Sequence, residues 1–278
     1  MHSLVIAASL LAQPPAAGSA EGAPADRHDP VRAEYLADAQ RCLFHHDAQK
    51  QHELELIEKP VMRWATDDDW SGDVFVWTRE SLPEVVGCIL SGPGNAGRPV
   101  YHEFHVLGEQ PIAPITLQTR RLWQPSEGLK RLPVPEAPTP AETAAGRLVQ
   151  MRQMARDFTA HMEADGTWEL RLLPQPVFRY RSESAGVTDG ALFTYVWSKG
   201  TDPELVLLLE CRMADKGPNW HFAPLRLSTR ELWLQHHESE VWHVAAHQEP
   251  QTETTMIYTT AYARTMATPP TAGSEQEN

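Results

Sequence analysis

The chain carries an internal repeat, which constrains its fold more than any other feature. Two long matches recur in the same order: APITLQTRRLW (113–123) as APLRLSTRELW (223–233), and LELIEKPVMRW (54–64) as LRLLPQPVFRY (170–180). Shorter matches lie between them, including Glu84 with Glu204. A period of about 110 residues is too long for a solenoid repeat and suits a duplicated small domain. We therefore predict two copies of one module that superpose.

Each copy begins with a helix signal and continues with strand signals. Asp29-Pro30 provides an N-cap and a proline at the first helical position, which predicts a helix over residues 30–48. In the second copy, a capping box at residues 139–142 opens an apolar stripe of helical spacing that ends at Asp165-Gly166. Apolar runs with strand spacing follow both helices. They predict an α+β fold, a tandem duplication of a module with one N-terminal helix packed on a four- to five-stranded antiparallel sheet.

The composition along the chain predicts six segments. They are a signal peptide (residues 1–20), a disordered stretch (21–28), module copy 1 (29–124), a Pro-rich linker (125–138), module copy 2 (139–250), and an extra strand followed by a disordered tail (251–278). The linker assignment rests on closely spaced prolines, which favour an extended, semi-rigid connection.

The N-terminal segment has most features of an export signal. Residues 4–12 form an apolar run, and Gly18-Ser19-Ala20 offers the small residues that precede a cleavage site, although the start contains no Lys or Arg. The alternative is a frayed apolar terminus. Because the run is too short to span a bilayer, we expect no membrane insertion. We expect an extracytoplasmic protein, periplasmic or secreted, whose mature form lacks residues 1–20.

Charge and motif content exclude several classes of function. The formal net charge is −13, whereas nucleic acid and anionic lipid require basic surfaces, so neither is expected as the main partner. Cys42, Cys88 and Cys211 form an odd set that the copies do not share, which favours buried apolar roles over a disulfide framework. The sequence contains no HExxH, paired-Cys or G-x-S-x-G motif. No catalytic residue and no cofactor is therefore predicted.

Charged residues recur between the copies as well. The recurring positions are Arg63/Arg179, Arg120/Arg230 and Glu84/Glu204. One interpretation is a bound anion, and the other is a cross-strand Arg–Glu pair that repeats because the module repeats. We favour the ion pair, since paired surface charges are common in sheets.

An acidic turn in copy 1 matches half of a calcium-binding loop. Asp67, Asp69, Ser71 and Asp73 place oxygen atoms at alternate positions around Gly72, and alternate carboxylates on a tight turn can supply several calcium ligands. The position that should hold the bidentate Glu is Thr78. We therefore predict no tight metal binding here, and at best millimolar affinity for calcium.

The copies differ in spacing, and candidate ligand contacts are placed where they differ. The shared Glu and Pro are thirty residues apart in copy 1 (Glu84 to Pro114) and twenty apart in copy 2 (Glu204 to Pro224). Copy 1 is therefore assigned about ten extra residues, located at 91–99. Binding residues gather on long loops. The candidate ligand contacts are Trp70, Asn95, Arg98 and His102.

The second copy also suggests a family. The stretch from Trp168 to Trp242 contains LRLLPQPVFRY, GALFTYV, TDPELVLLLE and WHFAP. It resembles an uncharacterised family of predicted exported bacterial proteins with no assigned function. The resemblance covers about a quarter of the chain and reaches copy 1 only through the internal repeat. It implies no activity.

The expected function is binding without catalysis. Trp64, Trp123 and Trp233 fall on apolar stripes and are predicted to be buried, with Trp123 and Trp233 at equivalent positions. We expect an exported, non-catalytic protein that binds an unknown protein or small-molecule ligand, and the oligomeric state stays open. The alternative is an extracytoplasmic enzyme with a site between the two modules. A third hypothesis is a structural protein that self-associates.

Overall fold

The computed structural model of the chain describes residues 29–117, 122–215, 217–248 and 253–267. The predictions for the signal peptide (1–20), for residues 21–28 and for the end of the tail lie outside the described residues. The helices are α1 (Asp29–Gln40) and α2 (Ala144–Arg156). The first eight strands are β1 (Glu55–Leu56), β2 (Met62–Ala65), β3 (Ser71–Arg79), β4 (Leu82–Ser91), β5 (Arg98–Val106), β6 (Ile115–Thr116), β7 (Leu122–Trp123) and β8 (Leu132–Pro133). The others are β9 (Phe158–Glu163), β10 (Thr167–Leu172), β11 (Phe178–Ser182), β12 (Val187–Val196), β13 (Pro203–Ala214), β14 (Gly217–Arg226), β15 (Glu231–His236), β16 (Ser239–Val244), β17 (Glu253–Thr254) and β18 (Tyr258–Met266).

The predicted α+β class is wrong, because the described chain is mostly β. It has 51% strand and 10% helix, and its strands form curled sheets of six, nine and three strands. The largest sheet runs β16-β15-β9-β10-β12-β13-β14-β8, with β11 beside β12. This sheet is about twice as large as the four or five strands predicted for one module. Of the described helices, neither is long and apolar enough to cross a membrane.

The segment after α2 shows why the helical content was overestimated. The helix ends at Arg156, and Phe158, Ala160 and Met162 continue as the inward face of β9. Phe158 and Met162 are four residues apart, which extends a helical stripe as readily as it fits an alternating strand. β9 pairs with β10 on one side and with β15 on the other. Long-range pairing therefore decides the conformation here, and local spacing does not report it.

The two copies share one strand register through their central ladders. Matching cross-strand pairs are Glu55–Thr78 with Arg171–Val196, Arg63–Asp73 with Arg179–Ala191, and Trp77–Val85 with Tyr195–Leu205. Gly72 and Gly190 occupy equivalent positions beneath the rings of Trp64 and Tyr180. A Cβ atom would lie 2.6 Å from the ring at Gly72 and 2.5 Å at Gly190, so both positions require glycine.

The match between residues 113–123 and residues 223–233 does not reflect structural equivalence. Val106 lies opposite Val85, and Arg226 lies opposite Leu205. The copies are thus offset by 120 residues in this region (226 − 106 and 205 − 85). With this offset, Ala223 corresponds to Glu103 and not to Ala113.

The predicted ten-residue insertion at 91–99 is wrong for the same reason. Ser91 lies opposite Val100, and Cys211 lies opposite Trp220. Eight residues therefore lie between these equivalent pairs in both copies, residues 92–99 in copy 1 and residues 212–219 in copy 2. The apparent difference in spacing came from aligning two Ala-Pro pairs that lie at different places in the fold.

The predicted equivalence of the two tryptophans fails as well. Trp123 is fully buried, and its indole Nε1 donates a hydrogen bond to the Met256 carbonyl oxygen at 2.8 Å. Trp233 is only partly buried and stacks on His161, with ring centres 5.5 Å apart. Trp123 lies in the core as predicted. Trp233 is on the opposite face of β15 from the core residues Leu232 and Leu234, so its predicted place on the core face is wrong.

Three large apolar cores hold together the part of the chain that the structure describes. The outer core of copy 1 joins Tyr35 and Ala39 of α1 to Phe75, Trp77 and Phe104, and the outer core of copy 2 joins Met151 and Ala155 of α2 to Phe193, Tyr195 and Leu207. Between the copies, Val86 and Cys88 of β4 share one core with Val206 and Leu208 of β13. These positions are equivalent under the offset of 120, so the contact resembles the isologous interface of a homodimer.

Candidate functional site

A cavity of about 620 Å³ opens between the two copies, beside the turn that joins β12 to β13. Its volume lies within the usual range for small-molecule sites. Copy 1 contributes Trp64 from β2, Trp70 from the β2–β3 turn and Glu103 from β5. Copy 2 contributes chiefly Trp197, Asp202, Glu204 and Arg230. The site therefore exists only because the two copies pack together.

Three tryptophans form the apolar wall of this cleft. Trp64 is buried, and its Nε1 lies 3.3 Å from the Cys88 sulfur, which fixes the ring against the inter-copy core. Trp70 covers Gly92 so closely that a Cβ atom there would lie 2.3 Å from the indole. Trp197 follows the last residue of β12 and is partly buried. Each ring is held by packing, so the wall is formed before any ligand arrives.

Three carboxylates stand on rigid positions around the same cavity. Glu204 is 4% exposed on β13, and the Ser228 hydroxyl donates a hydrogen bond to it. Glu103 on β5 is partly buried, and the Tyr258 hydroxyl donates to its Oε1 at 2.7 Å. Asp202 immediately precedes β13. Carboxylates that lie close together in a poorly hydrated site resist simultaneous ionisation.

The electrostatic state of these carboxylates follows from burial and mutual repulsion. Burial raises the pKa of Glu103 to about 7. The Tyr258 hydrogen bond and the Arg226 charge lower this pKa, and the Glu204 charge raises it. The pKa of Asp202 is raised by burial, then by Glu204 and Glu103. The pKa of Glu204 is raised by burial, while the Ser228 hydrogen bond and Arg230 lower it. Perturbed carboxylates in a cleft mark a candidate functional site.

Two cations line the cleft, and both are engaged with protein groups. The Arg230 guanidinium lies 5.0 Å from the centre of the Trp197 ring. Lys199 lies 4.5 Å from the same ring and 3.5 Å from the Asp165 carboxylate. Arg226, behind Glu103, donates to the backbone carbonyl oxygens of Ser228 and Ala245. The cavity therefore combines aromatic faces with an excess of negative groups.

The calcium half-motif does not assemble into a site. Its members are Asp67, Asp69, Ser71 and Asp73. Ser71 and Asp73 are buried in β3, where the Ser71 hydroxyl lies 2.8 Å from the Tyr35 hydroxyl and the Asp73 carboxylate pairs with Arg32. Asp67 lies exposed at the rim of the cleft. Within the described residues, no group of three or more His, Cys, Asp or Glu side chains could hold a metal ion.

Among the predicted ligand contacts, Trp70 lines the cleft and Arg98 does not. Arg98 is buried at the start of β5, and its guanidinium pairs with the Asp69 carboxylate and donates to the Asp69 carbonyl oxygen at 2.8 Å. The turns at residues 65–73 and 91–100 thus converge, as Trp70 over Gly92 also shows. Arg98 acts as a structural link between these two turns.

Asn95 and His102 lie away from the cleft. Asn95 is exposed in the β4–β5 turn. His102 is buried beneath α1, where its Nε2 lies 3.3 Å from the Asp38 carboxylate. A histidine on a strand can face either side of a sheet, and the sequence does not state which side is buried.

The residues that carry the cleft were missed because their sequence context is ordinary. The predicted pairing of the recurring glutamates with the recurring arginines is wrong for Arg63 and Arg179, which pair with Asp73 and Asp189. Glu84 Oε1 accepts from Nε of Arg79 at 3.1 Å. Glu204 has Ser228 as its hydrogen-bond donor instead. In the shared register Arg79 corresponds to Trp197, since Thr78–Pro83 and Val196–Pro203 are equivalent pairs. The presence of Trp197 in copy 2 at the position of Arg79 was the sequence difference that could have pointed to the cleft.

Comparison with known proteins adds no functional information. The chain matches no protein-family model, no curated protein and no solved structure.

Proposed function

We propose that the protein is a non-catalytic binding protein that holds a small organic ligand in the cleft between its two copies. One observation carries the proposal: a cavity of about 620 Å³ has a wall of three tryptophans and three carboxylates contributed by both copies. Apolar walls with a few fixed polar groups are the usual composition of ligand sites. A protein partner would require an exposed apolar patch, whereas these aromatic side chains line a concavity.

We also propose that the protein acts outside the cytoplasm. The support is the apolar run and small-residue cleavage site of residues 1–20, together with the resemblance to exported bacterial proteins. Mass spectrometry of the protein isolated from its own host should find a mature chain that lacks these residues. An intact Met1 in a cytoplasmic fraction would refute export and leave the binding proposal untouched.

A fragment screen by ligand-observed NMR tests the binding proposal. Thr229 is exposed at the cleft, so Thr229→Trp should fill the cavity and remove fragment binding without disturbing the core. Gln110→Trp is the matched control, since Gln110 is exposed and does not line this cavity. Fragments that bind the wild type and Gln110→Trp but not Thr229→Trp support the proposal. Binding that is identical in all three proteins would place the ligand elsewhere.

An enzyme with its site in the same cleft is the second candidate. The specific observation is Glu103, whose pKa of about 7 suits a general acid or base near neutral pH. A panel of chromogenic glycosides and esters would test it. Turnover by the wild type that is lost in Glu103→Gln, with fragment binding retained, would replace the binding proposal with the enzyme.

A further inference from the structure

The geometry points to an organic ammonium ion as the ligand of this cleft, with the ammonium group among Glu204, Asp202 and Glu103. This inference rests on the proposed function and specifies its ligand class. Two observations support it: the charged side chains that line the cavity, and the Arg79–Glu84 pair at the equivalent position of copy 1.

The side chains that line the cavity are mostly acidic among those that carry charge. Five carboxylates line the cavity, those of Asp67, Asp68, Glu103, Asp202 and Glu204, against the two cations Lys199 and Arg230. Both cations lie over the Trp197 ring, and Lys199 is paired with Asp165, which does not line the cavity. When the carboxylates are ionised, the cavity carries an excess of three negative charges. A cationic ligand would relieve this repulsion, and an anionic ligand would increase it.

In copy 1 the equivalent carboxylate is that of Glu84, and it is paired with a cationic side chain of the protein itself. Arg79 donates to Glu84 Oε1 through Nε at 3.1 Å, and its Nη2 lies 3.0 Å from the same oxygen. His46 adds a second basic group 3.6 Å from Glu84. Glu84 and Glu204 precede equivalent residues of the central strand, Val85 and Leu205. The fold therefore places a guanidinium of the protein itself beside this carboxylate in copy 1.

Copy 2 does not have a guanidinium at the position of Arg79. Trp197 stands at the position equivalent to Arg79, and the turn that follows is two residues longer and ends in Asp202. Copy 2 thus has an aromatic ring and a further carboxylate where copy 1 has the Arg79 guanidinium, while Arg230 acts on Glu204 through its charge. Aromatic faces and carboxylates together recognise organic ammonium groups, by cation–π attraction and by charge-assisted hydrogen bonds.

Neutral sugars and organic anions fit the observations less well. A sugar needs an open aromatic platform, but both Lys199 and Arg230 already lie over the Trp197 ring. An anion would have to use those two cations while lying beside Glu204 and Asp202. An ammonium ion that binds the carboxylates of Glu204, Asp202 and Glu103 needs neither a free face of Trp197 nor those two cations.

Three probes of matched shape test the ligand class: 2-phenylethylammonium, 2-phenylethanol and 3-phenylpropionate. Titration calorimetry or NMR at about pH 8, where an alkylamine is still protonated, should show the ammonium probe binding at least about tenfold more tightly than the neutral one. The anionic probe should bind weakest. Glu204→Gln should remove most of the preference for the ammonium probe, and Asp202→Asn provides an independent second variant. Circular dichroism confirms that each variant is folded.

The outcomes separate this inference from the proposed function. Equal or tighter binding of the neutral or anionic probe, abolished by Thr229→Trp, would overturn the ammonium assignment and keep the cleft as a ligand site. Failure of the ammonium probe to bind at millimolar concentration, in a protein whose cleft binds other fragments, would overturn it too. A screen in which nothing binds the cleft would refute the proposed function as well.

Discussion

The turn that precedes the central strand differs between the two copies in a way that creates a cavity in one of them. In copy 1 the two-residue turn Glu80-Ser81 brings Arg79 onto Glu84, and Gly108 packs against the same carboxylate. In copy 2 a longer turn, with Trp197 at the position of Arg79, leaves Glu204 beside open space. A duplicated fold can thus keep its register and gain a site by changing one turn.

The largest difference between the copies should appear in their tryptophans. Trp123→Ala should lower the free energy of unfolding by about 3–5 kcal/mol, because it removes a fully buried indole stacked on Phe104. Trp233→Ala should lower it by only about 1–2 kcal/mol, since Trp233 is partly buried against His161. Urea denaturation of both variants measures this. Equal losses would restore the equivalence that the sequence match suggests.

The next test concerns what the copies share. Gly72→Ala and Gly190→Ala should each lower the free energy of unfolding by about 1–3 kcal/mol, because the added methyl group would overlap the ring of Trp64 or Tyr180. Gly186→Ala is the control that measures the cost of a left-handed backbone without steric overlap, since Gly186 has φ 68° and open space around its Cβ position. Similar losses at Gly72 and Gly190 support the common register. A large loss at one of them alone would break it.

Removing the resident cation of copy 1 should have a smaller, pH-dependent effect. Arg79→Ala should lower the free energy of unfolding by about 1–2 kcal/mol at neutral pH, a modest value because Arg79 is one-third exposed. The loss should shrink as pH falls, because the buried Glu84 carboxyl, whose pKa is raised, can take up a proton instead. Burial already raises the pKa of Glu84, and the charges of His46, Arg79 and Arg131 oppose that rise. Stability curves of wild type and Arg79→Ala at several pH values would show a constant difference if this account were wrong.

Glu103 in the cleft should give the weakest stability signal. Its pKa is raised in the folded protein, so the folded state binds more protons than the unfolded state, and this contribution is present at low pH and lost as pH rises towards about 7. Its neighbours from other strands are Tyr258, Arg226 and Glu204, and His105 on its own strand has its pKa lowered to about 4 by burial. Glu103→Gln should therefore flatten the dependence of stability on pH between about pH 4.5 and pH 7. An unchanged slope in thermal denaturation would show that Glu103 ionises normally.

The sequence predicted the parts of the fold that local chemistry controls. Arg63 with Arg179 and Glu84 with Glu204 proved to be equivalent positions, because the shared glycines and bulky rings leave one way to pair the strands. Residues 113–123 misled the alignment, because an amphipathic segment that contains Ala-Pro and ends in Trp can recur at a different place on a similar surface. The register of two paired strands is defined by their hydrogen-bonded ladder, and a match of residue types between two segments does not establish it.

The site could not be predicted from the sequence because it depends on how the copies pack. Glu103 comes from copy 1 and Asp202 from copy 2, and no spacing along the chain brings them together. Of the predicted ligand contacts, Trp70 lines this cavity, and it lies on a turn whose acidic residues stood out in the sequence. The helix-plus-sheet prediction failed for a related reason, since β9 is a strand that pairs with β10 and with the distant β15.

One measurement tests the central claim that a ligand occupies in copy 2 the place that Arg79 occupies in copy 1. Trp197→Arg recreates the resident cation, and Trp197→Leu removes the indole without adding a charge. Calorimetric titration with 2-phenylethylammonium should show binding that is weakened in Trp197→Leu and lost in Trp197→Arg, with the two variants at least about tenfold apart. Equal affinity in the two variants would contradict the account.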